Sequence, residues 1–154
     1  MKIRNTCSIS LLFFIFTACS MAVSSDGALE TLIINKSGGE KISYHVEVAD
    51  TDAARHRGLM YRDKLPSDQG MLLDFPGNAN VGIWMKNTYI SLDLIFIDGT
   101  GKIVYIYQGA TPLSTRIIST DQKVRAVLEI NAGQVAEHEI RKGDQVIFPS
   151  FDEK

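Results

Sequence analysis

Gly82-Ile83-Trp84-Met85-Lys86-Asn87-Thr88, running on through Leu92-Asp93-Leu94-Ile95-Phe96-Ile97-Asp98-Gly99, is the stretch on which the fold turns. Leu94 to Ile97 is apolar at successive positions, as a strand covered on both faces requires. Trp84 is the only tryptophan. Lys86, Asn87 and Asp93 lie beside this run, and polar groups taken out of water need partners, at a cost of roughly a few kcal/mol when they find none. Read as strands, the stretch divides into about Val81 to Asn87 and Leu92 to Ile97. Alternation then sets Trp84 and Lys86 on one face and Met85 and Asn87 on the other. Asp98-Gly99-Thr100-Gly101 is a hairpin signal that returns the chain through Ile103 to Gln108.

Outward from this centre, Ile42, Tyr44, Val46 and Val48 alternate with Ser43, His45, Glu47 and Ala49, the pattern of a half-buried strand. Leu29 to Ile34 precedes it, across an Asn35-Lys36-Ser37-Gly38-Gly39 turn. Thr51 caps a predicted helix over Asp52 to Arg57, with Gly58 as its stop. Met71 to Phe75 is a short strand. Ala110 to Asp121 is an irregular connection. Val124 to Ile130 sets Ala126, Leu128 and Ile130 against Arg125, Val127 and Glu129. A helical segment near Gln134 to Glu139 and a strand from Gln145 to Pro149 complete the chain. The expectation is mainly β: a single-domain β sandwich or distorted barrel of about eight strands with one or two short helices.

The first residues have another character. Lys2 and Arg4 precede an apolar run from Ile9 to Phe16, too short to span a bilayer, and small residues follow at Ala18 and Ala22. Residues 1–22 read as a signal peptide, 23–28 as a short tether and 29–150 as the folded domain. Phe16-Thr17-Ala18-Cys19 resembles the lipobox of bacterial lipoproteins, which would start the mature chain at a lipidated Cys19 and anchor it in the membrane. Cleavage after Ala22 would instead release a soluble protein. Either way the expected location is the periplasm or cell envelope.

Cys7 and Cys19 are the only cysteines, so the predicted domain has no thiol for disulfides, thiolate metal sites or nucleophilic catalysis. Without Lys2 and Arg4, 14 basic residues face 18 acidic ones. The basic residues are scattered, without interleaved aromatics, which argues against nucleic acid as a partner.

Arg57-Gly58-Leu59-Met60-Tyr61-Arg62, Gly70-Met71-Leu72-Leu73, Trp84-Met85-Lys86-Asn87-Thr88, Leu92-Asp93, Leu128-Glu129-Ile130-Asn131-Ala132-Gly133 and Gly143-Asp144 occur in the order that resembles one family. This is the domain-of-unknown-function family 192 (DUF192). The likeness runs from about Leu32 to Phe148. Ile83 replaces the family's usual aromatic residue and Ser91 its usual proline. The resemblance implies a β-rich, sandwich-like fold, often exported in bacteria, and implies no reaction and no cofactor.

The candidate ligand-binding residues are Arg57, Trp84, Lys86, Asn87, Asp93 and Glu129. In one arrangement Lys86 or Arg57 pairs with Asp93 or Glu129 in a half-buried network beside Trp84, fixing strand register. In the other the set lines a small-ligand pocket, with Lys86 and Arg57 for anionic groups and Trp84 as an apolar wall. The expected role is therefore a non-catalytic small-ligand-binding or envelope-accessory module. A hydrolase of envelope carbohydrate would need Asp93 and Glu129 about 5 to 9.5 Å apart across a cleft. Copper bound by Met60, Met71 and Met85 near His56 is a third reading, set against methionine's ordinary use as a core filler. No Gly-x-Ser-x-Gly elbow supports serine catalysis.

Overall fold

The structure is a computed structural model describing residues 28–151. The predicted signal peptide, Cys19 and nearly all of the tether lie outside these residues. In chain order the elements are β1 (Glu30–Asn35), β2 (Lys41–Ala49), α1 (Asp52–Arg57), β3 (Gln69–Ala79), β4 (Gly82–Ile83), β5 (Leu92–Ile97), β6 (Ile103–Ala110), β7 (Ile118–Ser119), β8 (Val124–Asn131), α2 (Gln134–Glu137) and β9 (Gln145–Ile147). A 3-10 turn, Pro149–Phe151, follows.

Seven strands form one sheet in the order β6-β5-β8-β3-β2-β1-β9, and β4 pairs with β7 in a small second sheet. All neighbours in the large sheet are antiparallel except β2 and β3. A parallel pair needs a long crossover, and α1 lies within it. The sheet curls into a half-barrel, and its two edges approach each other at one end. There Val146 N–H donates to the Gly101 carbonyl at 2.7 Å, and Ile103 N–H to the Asp144 carbonyl at 2.9 Å. The mainly β, single-domain expectation holds, with the half-barrel as its specific form.

β5 is buried along its whole length. Leu92, Leu94 and Phe96 join one apolar cluster with Met71, Leu73, Met85 and Val127, while Ile95 and Ile97 join the other with Leu32, Val46, Leu128 and Ile130. The alternation read in β2 and β8 selects the same faces, since Tyr44 and Val46 pack with Ala126, Leu128 and Ile130.

The predicted strand from Val81 to Asn87 is much shorter. Only Gly82 and Ile83 make a ladder, to Ser119 and Ile118. Alternate burial still runs through Val81, Ile83 and Met85, so the apolar period is real. The chain then turns: Thr88 N–H donates to the Met85 carbonyl at 3.1 Å and Asn87 has φ 56°. Asparagine tolerates this left-handed conformation better than most residues. The connection from Ala110 to Asp121, read as irregular, supplies β7.

Candidate functional site

α1 begins as its sequence dictates, with Thr51 Oγ1 accepting from Ala54 N–H at 3.2 Å, and ends at Gly58 with φ 47°. That helix and the loop after it form one wall of a cavity of about 430 Å³. The small sheet forms another wall through Ile83 and Trp84, and the large sheet contributes Leu73, Phe75 and Glu129.

Glu129 is the unusual member. It stands on β8 opposite Met71 of β3 and Leu94 of β5, a row that is otherwise apolar. It is 5 % exposed, and its Oε2 has no hydrogen-bond partner among the described residues. Burial pushes its carboxyl up to about 7, and the Arg62 guanidinium only partly offsets this. Arg62 is itself held by Glu47, with both carboxylate oxygens engaged at 2.5 and 2.6 Å. A carboxyl group in this position is half protonated near neutrality, and is able either to donate to an incoming acceptor or to attract a cation.

The outer part of the cavity is cationic and aromatic. His56 meets Trp84 edge to face at 5.7 Å, and Lys86 Nζ lies 5.1 Å over the indole ring. The exposed Arg57 side chain lines the cavity without a hydrogen bond or ion pair among the described residues. Arg55, also in the wall, is committed: it donates to the Asp74 carbonyl at 2.6 Å, pairs with Asp52 at 2.5 Å, and lies over the Phe75 ring.

Of the six candidates, Arg57, Trp84 and Glu129 line the cavity together. Lys86 lies over the Trp84 ring, on the side that alternation assigned, and is not itself a lining residue. Asn87 stands apart, with Nδ2 donating to the Tyr61 hydroxyl at 2.8 Å and its carbonyl accepting from Tyr61 N–H at 2.8 Å. These bonds tie the loop after Trp84 to the loop after α1. Asp93 is elsewhere. Register pairs it with Ile130 while Leu94 pairs with Glu129, so the two carboxylates project from opposite faces of the sheet. Asp93 is fully buried and accepts from the N–H groups of Gly109 (2.9 Å), Gly133 (2.9 Å) and Val135 (3.0 Å). It holds the irregular β5–β6 pairing and the start of α2. The expected ion pairing of Lys86 or Arg57 with Asp93 or Glu129 does not form, because Lys86 stacks on Trp84 and the cation beside Glu129 is Arg62. Met71 and Met85 are core residues, and Met60 is a buried part of the cavity wall.

Arg55, Phe75 and Ile117 were not among the candidates. They reach the cavity from α1, β3 and the Ala110–Asp121 connection, and no local motif joins these three segments.

The DUF192 family, described as Uncharacterized ACR, matches residues 33–148. The chain belongs to the DUF192 family. Its relatives include the UPF0127 protein of Thermococcus gammatolerans, 27% identical over 123 residues that make up 80% of this chain and 78% of that protein. A UPF0127 protein of Thermococcus kodakarensis is 24% identical over 123 residues, 80% of this chain and 76% of that one. Among solved structures, a candidate transcription regulator from Sinorhizobium meliloti is similar with a TM-score of 0.76 and 36% identity, covering 79% of this chain and 96% of that one. A protein of unknown function from Novosphingobium aromaticivorans has a TM-score of 0.75 and 30% identity, covering 78% and 85%. The fold is thus shared with these two solved structures.

Proposed function

We propose that this DUF192 protein is a small-ligand-binding module of the cell envelope, and that its ligand enters the cavity between α1, Trp84 and Glu129. The observation that carries the reading is the Oε2 atom of Glu129, buried in the cavity wall with no hydrogen-bond partner among the described residues. Such an oxygen costs about 1–3 kcal/mol or more if nothing meets it, and a ligand donor recovers that cost. A largely apolar cavity with a few convergent polar groups is the usual form of a small-molecule site. The envelope location rests on the basic and apolar start of the chain and on Cys19.

The Sinorhizobium relative's description as a regulator does not lead to a DNA-binding reading here. Arg55, Arg62 and Arg125 are engaged by Asp52, Glu47 and Asp74, and the chain is net acidic. A DNA-binding face needs its cations free and aligned.

Because Trp84 is the sole tryptophan and lines the cavity, its emission reports on this site alone. Titration with a panel of amino acids, small peptides, sugars and sugar phosphates is expected to shift that emission saturably for at least one class. Trp84→Phe should lose the optical signal and weaken the binding followed by calorimetry, since it trims one wall of the cavity. Ligands that bind calorimetrically with the Trp84 spectrum unmoved would place the site elsewhere and refute the reading.

A further inference from the structure

Building on the cavity reading above, we infer that the ligand is a zwitterion, bound with its ammonium group against Glu129 and its anionic group against Arg57. Two features at different depths support this. The inner one is the buried Glu129 carboxylate, whose Oε2 has no donor among the described residues and whose neighbour across the gap is Gly58. A Cβ at Gly58 would lie 3.6 Å from Oε2, so the absence of a side chain leaves space beside that oxygen. The outer one is the pair of cations Arg57 and Lys86, of which Arg57 has neither an acidic nor an aromatic partner among the described residues.

A purely anionic ligand would satisfy Arg57 and leave Glu129 orphaned, or repel it when ionised. A purely cationic ligand would suit Glu129 but would have to pass Arg57 and Lys86. A molecule with charge of both signs meets both demands. Trp84, Phe75 and Ile83 between them provide apolar wall for its body. A cavity of about 430 Å³ is roomy enough for a dipeptide or an amino sugar acid, and is larger than a single small amino acid requires. No covalent step is involved.

Proton uptake at Glu129, which burial pushes up to about 7, cancels its attraction for an ammonium group in acid. The charged groups around it are Arg62 with its partner Glu47, and Arg55, Arg57, His56 and Asp52 in the cavity wall.

The test uses the full mature chain, Trp84 emission and calorimetry. The probes are dipeptides and straight-chain ω-amino acids, each beside its N-acetylated and its carboxyl-amidated form. At least one free zwitterion is expected to bind tenfold or more tightly than both blocked forms. Glu129→Gln should erase its preference over the N-acetylated form, and Arg57→Ala its preference over the amidated form. A circular dichroism spectrum matching the parent shows that each variant is folded. Equal affinity of free and blocked forms, or no binding by any zwitterion, overturns the inference. In that case a sugar, an anion or another neutral compound that still shifts Trp84 leaves the binding cavity standing.

Discussion

Withdrawing a carboxyl group from water without giving it a donor raises the pH at which it ionises, and the folded protein then loses stability as that pH is crossed. Glu129 has an ordinary value of 4.5 and a folded value of about 7. Its contribution is therefore most favourable below pH 4.5, declines as pH rises towards 7, and is fully lost above that. The difference corresponds to about 3 kcal/mol. Urea midpoints measured from pH 4.5 to 8 are expected to fall more steeply for the parent than for Glu129→Gln, which has nothing to titrate. Parallel profiles would show that Glu129 is solvated. At this scale half of the candidate set was legible as one cavity lining: Arg57, Trp84 and Glu129 lie in the blocks that mark the family, and they line the cavity together. Asp93 was misleading because its partners, Gly109, Gly133 and Val135, are backbone groups that composition does not reveal. The phase of β5 against β8, which separates it from Glu129, depends on register, and the residues alone leave that open.

The elements follow their local sequence closely where a cap, a turn or a period is present. α1 begins after Thr51 and ends before Gly58 as expected, and the Asp98–Gly101 hairpin joins β5 to β6. They depart from it where tertiary pairing intervenes. β3 runs on to Ala79 through Pro76 and Gly77, because β8 offers a partner again at Val124 after an irregularity. β3 also approaches β8 closely at Gly70. A Cβ on Gly70 would fall 2.8 Å from the Glu129 carbonyl and 3.1 Å from Ile130 Cγ2. Gly70→Ala must push β8 away at the residue that carries the candidate carboxylate. It is expected to cost about 1–3 kcal/mol by the usual measure of overpacking, read as a lower urea midpoint, together with a changed Trp84 emission. An unchanged midpoint would mean that β8 shifts freely at this point.

For the whole molecule, the half-barrel divides the core into two clusters, one on each side of the large sheet, and the cavity belongs to the side that also holds α1 and the small sheet. That division was visible in the two-faced burial of β5, while the curl was not, since it depends on contacts between segments far apart in sequence, such as Gly101 with Val146. The proposed envelope location makes its own prediction. Labelled palmitate is expected to be incorporated into the full chain and lost in Cys19→Ala, with that variant moving from the membrane fraction to the soluble one. An unlabelled parent protein would favour cleavage after Ala22.

Among the described residues, the three of β9 alone pair with the outer flank of β1, and they form the last of the described strands to leave the ribosome. Until they emerge, a row of bare amide and carbonyl groups waits on β1, open to pairing with any passing extended chain. Completion of the barrel rim thus waits for β9, which comes after all the other described strands in chain order.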